Sequence, residues 1–206
     1  MSEDNISDTK TKILDAAERL ITQFGPEKAS LRKITEEAGV NVAAINYHFG
    51  SKNNMLYAII ARFINPIVQE LLNGLEQIMQ DAAPDLPSIE DIIRCHLVPM
   101  LNFSIANPNY EKMFSGLYLY YDDENIFKSQ IKQLTEKTTK YYAECLIKVL
   151  PDVPEKTLFK RLAIFKNMGT GIMYGDCIME ESLEVLGIDN NREELLEEMV
   201  KFAAAG

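Results

Sequence analysis

Along the first fifty residues apolar positions recur at helical spacing, and capping residues stand in the breaks between them. Ile13, Leu14, Ala17, Leu20, Ile21 and Phe24 make one inward stripe, which predicts a helix over 9–24 ended by Gly25-Pro26. The polar residues 1–8 predict a frayed end. Leu31, Ile34 and Ala38 repeat at i, i+3, i+7 behind Ser30, a good N-cap. Gly39 stops this second helix, because a residue without Cβ takes the left-handed conformation cheaply. Asn41 can cap a third helix running to Phe49, and Gly50 ends it. Two short helices about a glycine-containing turn form the helix-turn-helix pattern. At about 100° per residue, Val42, Ile45 and Phe49 share one sector and are expected to pack inward. Asn46 borders that sector, and Ala43, Ala44, Tyr47 and His48 lie opposite it.

The same periodicity continues. From Ser51 a long helix is expected through Met55, Leu56, Ile59, Ile60 and Phe63 toward Met79, with Pro66 kinking or briefly breaking it. Pro84 and Pro87 mark a loop before Ser88, which caps a helix over 89–106 with Pro99 inside. A short aromatic helix over 110–121 follows, then helices over 125–150, 155–179 and 191–205. No alternating strand pattern occurs. The expectation is an all-α chain of about nine helices, with an N-terminal three-helix head over 1–52 and a C-terminal helical bundle over 53–206.

Composition changes this picture in two places. The chain of 206 residues carries a formal charge of −10, which looks wrong for a protein that approaches phosphates. Residues 1–65, however, hold eight basic and eight acidic side chains, and residues 28–52 hold four basic against two acidic. The acidic excess belongs to the remainder, so a compact local footprint on DNA is expected. Cys95, Cys145 and Cys177 are odd in number and far apart, which argues against a disulfide framework and fits a reducing cytoplasm. No run of 18 apolar residues and no charged-then-apolar leader appears, so neither a membrane partner nor a signal peptide is expected.

The candidate chemistry lies on the third helix. Ala43 and Ala44 let the backbone approach a surface and can touch thymine methyl groups, while Tyr47 and His48 offer donors that reach phosphate oxygens. Lys52 follows Ser51 at the start of the next helix, where a phosphate is favoured. With Ser30, Arg32, Lys33, Asn41 and Asn46 these residues form the candidate DNA-binding set. The run from Ala38 to Lys52, AGVNVAAINYHFGSK, closely resembles the DNA-binding signature of TetR-type transcriptional regulators, and the helix from Lys12 to Gly25 resembles that family's first helix. Asn46 stands where many members carry Leu, which leaves base preference open. The resemblance covers roughly residues 10 to 60. It implies a regulator whose body, residues 53–206, binds an inducer and forms a homodimer.

In that body Met100, Phe103, Met113, Phe114, Leu117 and Tyr118 read as bundle core or as walls of a cavity for an apolar or aromatic molecule. The same holds for Tyr121, Phe165, Met168 and Met173. Arg94, His96 and Asn102 are candidates for polar groups that orient a ligand, although a lone helical histidine is more often a hydrogen-bonded structural residue. Gly169, Gly171 and Gly175 each cost about 1 kcal/mol relative to alanine in a helix and ask for close approach of another helix. The resemblance implies that this approach is a dimer contact of the last two long helices, giving Leu162, Gly169, Ile172, Gly175, Met179, Leu195 and Met199 as interface candidates. Packing within one chain is the alternative. With two histidines and no metalloprotease, nucleophile-elbow or phosphate-loop motif, no enzymatic activity, metal or cofactor is expected. The reading is a ligand-responsive DNA-binding regulator; the resemblance implies a repressor that a small apolar or aromatic molecule releases from a near-palindromic operator. The alternative is a helical small-molecule- or partner-binding protein that no longer reads DNA.

Overall fold

The computed structural model describes residues 3–107, 110, 113, 124–173, 182–189 and 191–205. Among them are eight helices of eight residues or more, a short helical stretch at 182–185, and no strand. In chain order they are α1 (Glu3–Phe24), α2 (Leu31–Ala38), α3 (Val42–Phe49), α4 (Lys52–Asp81), α5 (Ile89–Ala106), α6 (Glu124–Val149), α7 (Glu155–Met173) and α8 (Arg192–Ala205). The all-α expectation is met. The chain forms two compact units, one of residues 1–65 with 109–134 and the other of 66–108 with 135–206.

In the first unit α1 supplies the floor for two helices too short to stand alone. Ile13, Ala16, Ala17 and Ile21 of α1 are buried, as are Ile34 of α2 and Ile45 of α3. The three helices pack on one another. Each fully buried aliphatic side chain contributes about 1.5–3 kcal/mol. Capping fixes the ends. Ser30 Oγ accepts the Lys33 N–H at 3.3 Å, and Asn41 Oδ1 accepts the Ala43 N–H at 3.0 Å. Gly39, at φ 66°, donates its N–H to Glu36 O and ends α2 in the left-handed region. Ser51 Oγ takes the Asn54 N–H at 3.1 Å, and Asn54 Nδ2 donates back to Phe49 O at 2.8 Å, locking α3 to the first turn of α4.

Three expectations fail here. The first helix starts at Glu3 instead of Thr9, because polar residues with charges at suitable spacing, such as Lys12 with Asp8, continue it outward. Phe24 is 48% exposed and Val42 43% exposed, since each stands at a helix terminus beyond the reach of the three-helix core. Of the two outcomes expected at Pro66, a break does not occur, and α4 runs as one helix across it. This helix is long and apolar enough to cross a membrane by length and composition. Its apolar stripe is used otherwise: Met55, Leu56, Ile59 and Ile60 are buried in the first unit, and Ile67, Leu71 and Leu75 in the second.

The second unit is built on α5, against which both α7 and α8 pack. Ile92, Ile93, Leu97 and Leu101 of α5 meet Leu75, Tyr142, Leu162, Phe165 and Val200 in one core. Two polar ties fasten this arrangement. Tyr142 donates its hydroxyl to Ile92 O at 2.7 Å, and Arg94 forms a forked ion pair with Glu197 of α8.

Gly39→Ala tests the turn. A Cβ there meets nothing within 4 Å, so the cost is the left-handed backbone alone. The variant should lose about 1 kcal/mol of stability, read as a lower urea midpoint.

Candidate nucleic-acid interface and body cavity

The exposed side of α3 follows from what its other side buries. Ile45 and Phe49 face the core, and the Lys10 ammonium lies 5.6 Å from the centroid of the Phe49 ring. Ala43, Asn46 and Tyr47 are consequently outward, with Tyr47 70% exposed, while Ala44 and His48 are half-buried. The Tyr47 ring stands edge-on to His48, with ring centroids 5.0 Å apart. Ser30, Arg32, Lys33 and Asn41 are exposed, and Lys52 opens α4 half-buried. Arg32 pairs with Glu36 at 2.8 Å and Arg19 with Glu37 at 2.8 Å, so both acidic groups of residues 28–52 are already answered. Ser30 and Asn41 use one acceptor each as caps and retain donors. The DNA-binding candidates therefore all belong to the first unit, on α2, α3 and their flanks.

The body candidates separate more. His96 is 3% exposed, with its ring 5.2 Å from Tyr142 and 5.0 Å from Phe165. Neither imidazole nitrogen has a hydrogen-bond partner among the described residues, so it is not the hydrogen-bonded structural histidine of the bland expectation. Burial, and secondarily the charge of Lys166, lower its pKa from 6.5 to about 3, so the ring is neutral. Lys166, itself pushed down by burial, donates to Thr139 Oγ1. Arg94 is committed to Glu197, whose carboxyl those hydrogen bonds hold below its ordinary range, and Asn102 is exposed. Met100 and Phe103 are half-buried on α5, while Met113 is buried in the first unit. Phe114, Leu117, Tyr118 and Tyr121 lie outside the described residues.

Phe165 and Met168 line a cavity of about 570 Å³ in the second unit, together with Tyr142, Leu146, Leu162 and Arg161. Sequence reasoning missed Tyr142 and Leu146, although Thr138, Tyr142, Cys145 and Leu146 repeat at i, i+4, i+7, i+8. The interface candidates fall largely inside the chain. Leu162 and Met199 belong to the core, with Leu195 packed against it. A Cβ on Gly169 would stand 2.9 Å from Met100 Sδ and 3.4 Å from His96 Cδ2, so the close approach that this glycine permits is made by α5 of the same chain. Gly175, Met179 and the side chain of Ile172 lie outside the described part. Cys95 is half-buried and Cys145 buried, both as free thiols, and burial pushes Cys95 up to about 11, which disfavours the reactive thiolate.

With this geometry in hand, similarity to known proteins decides the family. Residues 13–59 match the profile of bacterial regulatory proteins of the tetR family. The chain belongs to the TetR family. The match runs from the core of α1 through both short helices into α4. Other known proteins extend the likeness. The HTH-type transcriptional regulator SrpR of Pseudomonas putida is 27% identical over 172 residues, covering 81% of this chain and 74% of SrpR. The nucleoid occlusion factor SlmA of Vibrio campbellii is 30% identical over 129 residues, 62% of this chain and 61% of its own. The solved structure of the fatty acid degradation regulator FadR from Bacillus halodurans shares the fold over 96% of this chain and 95% of FadR, with a TM-score of 0.68 at 14% identity. The chain is a DNA-binding transcriptional regulator of this family.

The neutral, buried His96 has a thermodynamic consequence. Its folded pKa lies below its unfolded one, so the unfolded chain gains the proton first as pH falls. Stability due to His96 staying neutral is complete above about pH 6.5 and drains away toward pH 3. His96→Phe should flatten the pH dependence of the urea midpoint across that window relative to the parent chain, and an unchanged slope would show that His96 is solvated.

Proposed function

We propose that this regulator is ligand-responsive and acts as a homodimer on near-palindromic duplex DNA, repressing when empty and releasing when a small apolar or aromatic molecule binds the body. The observation that carries the DNA half is the outward face of α3. It offers small residues where a backbone must enter a groove and an exposed tyrosine at the rim. Ala43 and Ala44 approach base edges, with Asn46 beside them. Tyr47, His48 and Lys52 engage phosphates, and Ser30, Arg32, Lys33 and Asn41 add contacts from the α2 side. The Arg32–Glu36 pair is exposed and screened by solvent, so a phosphate can replace it. The work takes place where the DNA is, in the cytoplasm.

For the dimer, support comes from apolar side chains that the chain leaves uncovered. Ile164 on α7 and Phe202 on α8 are 63% and 72% exposed, with Phe159 of α7 also exposed. A second copy on these helices would bury them, which moves the seam outward from Leu162, Gly169 and Met199. The division of labour proposed is a reading head over 1–52 and a sensing and pairing body over 53–206. Helix α4 is continuous from one into the other, so a ligand that favours one tilt of it would alter the spacing of the two heads. Such a ligand must bind the two states with different affinity.

Selection of binding sites from random duplex DNA with the purified chain is the direct test. It should enrich two inverted half-sites about one helical turn apart or slightly more. A folded dimer that enriches nothing, with or without a hydrophobic extract of the host, would sink the reading. On the selected site, Tyr47→Phe and Lys52→Ala should weaken every sequence by a similar factor and flatten the salt dependence; an altered base preference would contradict a phosphate role. Ala44→Glu should abolish binding in an electrophoretic shift while gel filtration still shows the dimer. Surviving affinity would mean that another face of α3 meets the DNA.

A further inference from the structure

Two features of the second unit stand one ring apart. One is the 570 Å³ cavity, a volume within the range of small-molecule sites; Ile164 and Phe202 also line it, so the partner copy proposed above would close over it. The other is His96, buried and neutral, with both nitrogens lacking a partner among the described residues. Tyr142 and Phe165 belong to both, lining the cavity and packing on the imidazole at 5.2 and 5.0 Å. A buried imidazole without hydrogen bonds forfeits interactions that water would supply to the unfolded chain. A ligand that restores them gains affinity in proportion.

We propose that the cavity takes an uncharged, mostly apolar hydroxyl compound of the phenol class, and that His96 is its polar anchor. This inference rests on the ligand-responsive reading of the body and names the class of molecule that the body senses.

The chemistry narrows the class. A neutral imidazole offers one N–H donor and one lone-pair acceptor, and a hydroxyl can answer either. A cationic group would meet the ammonium of Lys166, whose charge already disfavours protonation of His96. Tyr142 and Phe165 present aromatic faces suited to an aromatic ring. The described lining of the cavity is apolar apart from Arg161, which is exposed. His96 itself does not line the cavity, so a bound hydroxyl reaches it only when the Tyr142 or Phe165 ring moves aside. Met168, unbranched and three residues along the same helix, can refill the space.

The test uses the full chain and a matched pair of probes, 4-butylphenol and butylbenzene, which differ by the hydroxyl alone. Calorimetry should find the phenol roughly tenfold tighter, the value of one buried hydrogen bond, and His96→Phe should bind the two equally. Because the chain has two histidines, His48 and His96, nitrogen NMR reads the anchor directly in the parent protein. The phenol should shift the His96 signals and leave those of His48. The proposal is overturned if neither probe binds at millimolar concentration, if the two bind alike, or if His96→Phe keeps the preference. It is also overturned if the ligand-free His96 nitrogens already show hydrogen-bonded shifts. Loss of the preference with DNA selection intact overturns this anchor alone; an intact preference with failed DNA selection overturns the regulator reading and leaves the site.

Discussion

An eight-residue helix is unstable by itself in water, and α3, which carries the outward face of the reading head, is eight residues long. Everything in the first unit serves to keep it folded. Ile45 and Phe49 give it a buried edge, α1 and α2 supply the surface that edge packs on, and caps at both ends take up the amide and carbonyl groups that so short a helix cannot pair internally. Only after those demands are met is a face left over, and the residues on that face can then be chosen for DNA. Tyr47 can be 70% exposed because it contributes nothing to the core.

The second unit solves a different problem with the same rules. Here α5 is covered by α7 and α8, and its stripe of Ile92, Ile93, Leu97 and Leu101 would make a conventional apolar core without interruption. His96 interrupts it. Burying an imidazole with no partner among the described residues costs stability that a leucine at the same place would supply, and Gly169 gives up helix propensity so that α7 can come within van der Waals distance of it. Two local sacrifices at one contact, beside a cavity, are the kind of inconsistency expected where function outranks packing.

Charge follows the same division. Residues 66–206 carry the acidic excess, while residues 1–65 are neutral and Glu36 and Glu37 of α2 are paired with Arg32 and Arg19. Burial raises the pKa of both the half-buried Cys95 and the buried Cys145, which disfavours their thiolates.

Much of this was legible in the residues themselves. Helix periodicity, Ser30, Gly39, Asn41 and Gly50 marked α2 and α3 because caps and left-handed turns are local decisions made by one or two side chains. The 89–106 helix was bounded to the residue for the same reason, by Ser88 and Asn107. What periodicity could not say is what a stripe packs against. It put Val42 and Phe24 inward, although the core does not extend to those helix ends, and it could not tell that Gly169 answers α5 of its own chain. Nor could it show Arg94 clamped to Glu197, 103 residues away, or His96 enclosed between Tyr142 and Phe165. Sequence alone determined the helices, their caps and the reading motif, since these depend on neighbours a few residues apart. Tertiary structure decided the burial of His96, the partner of Gly169 and the cavity beside them, since these depend on which distant helices meet.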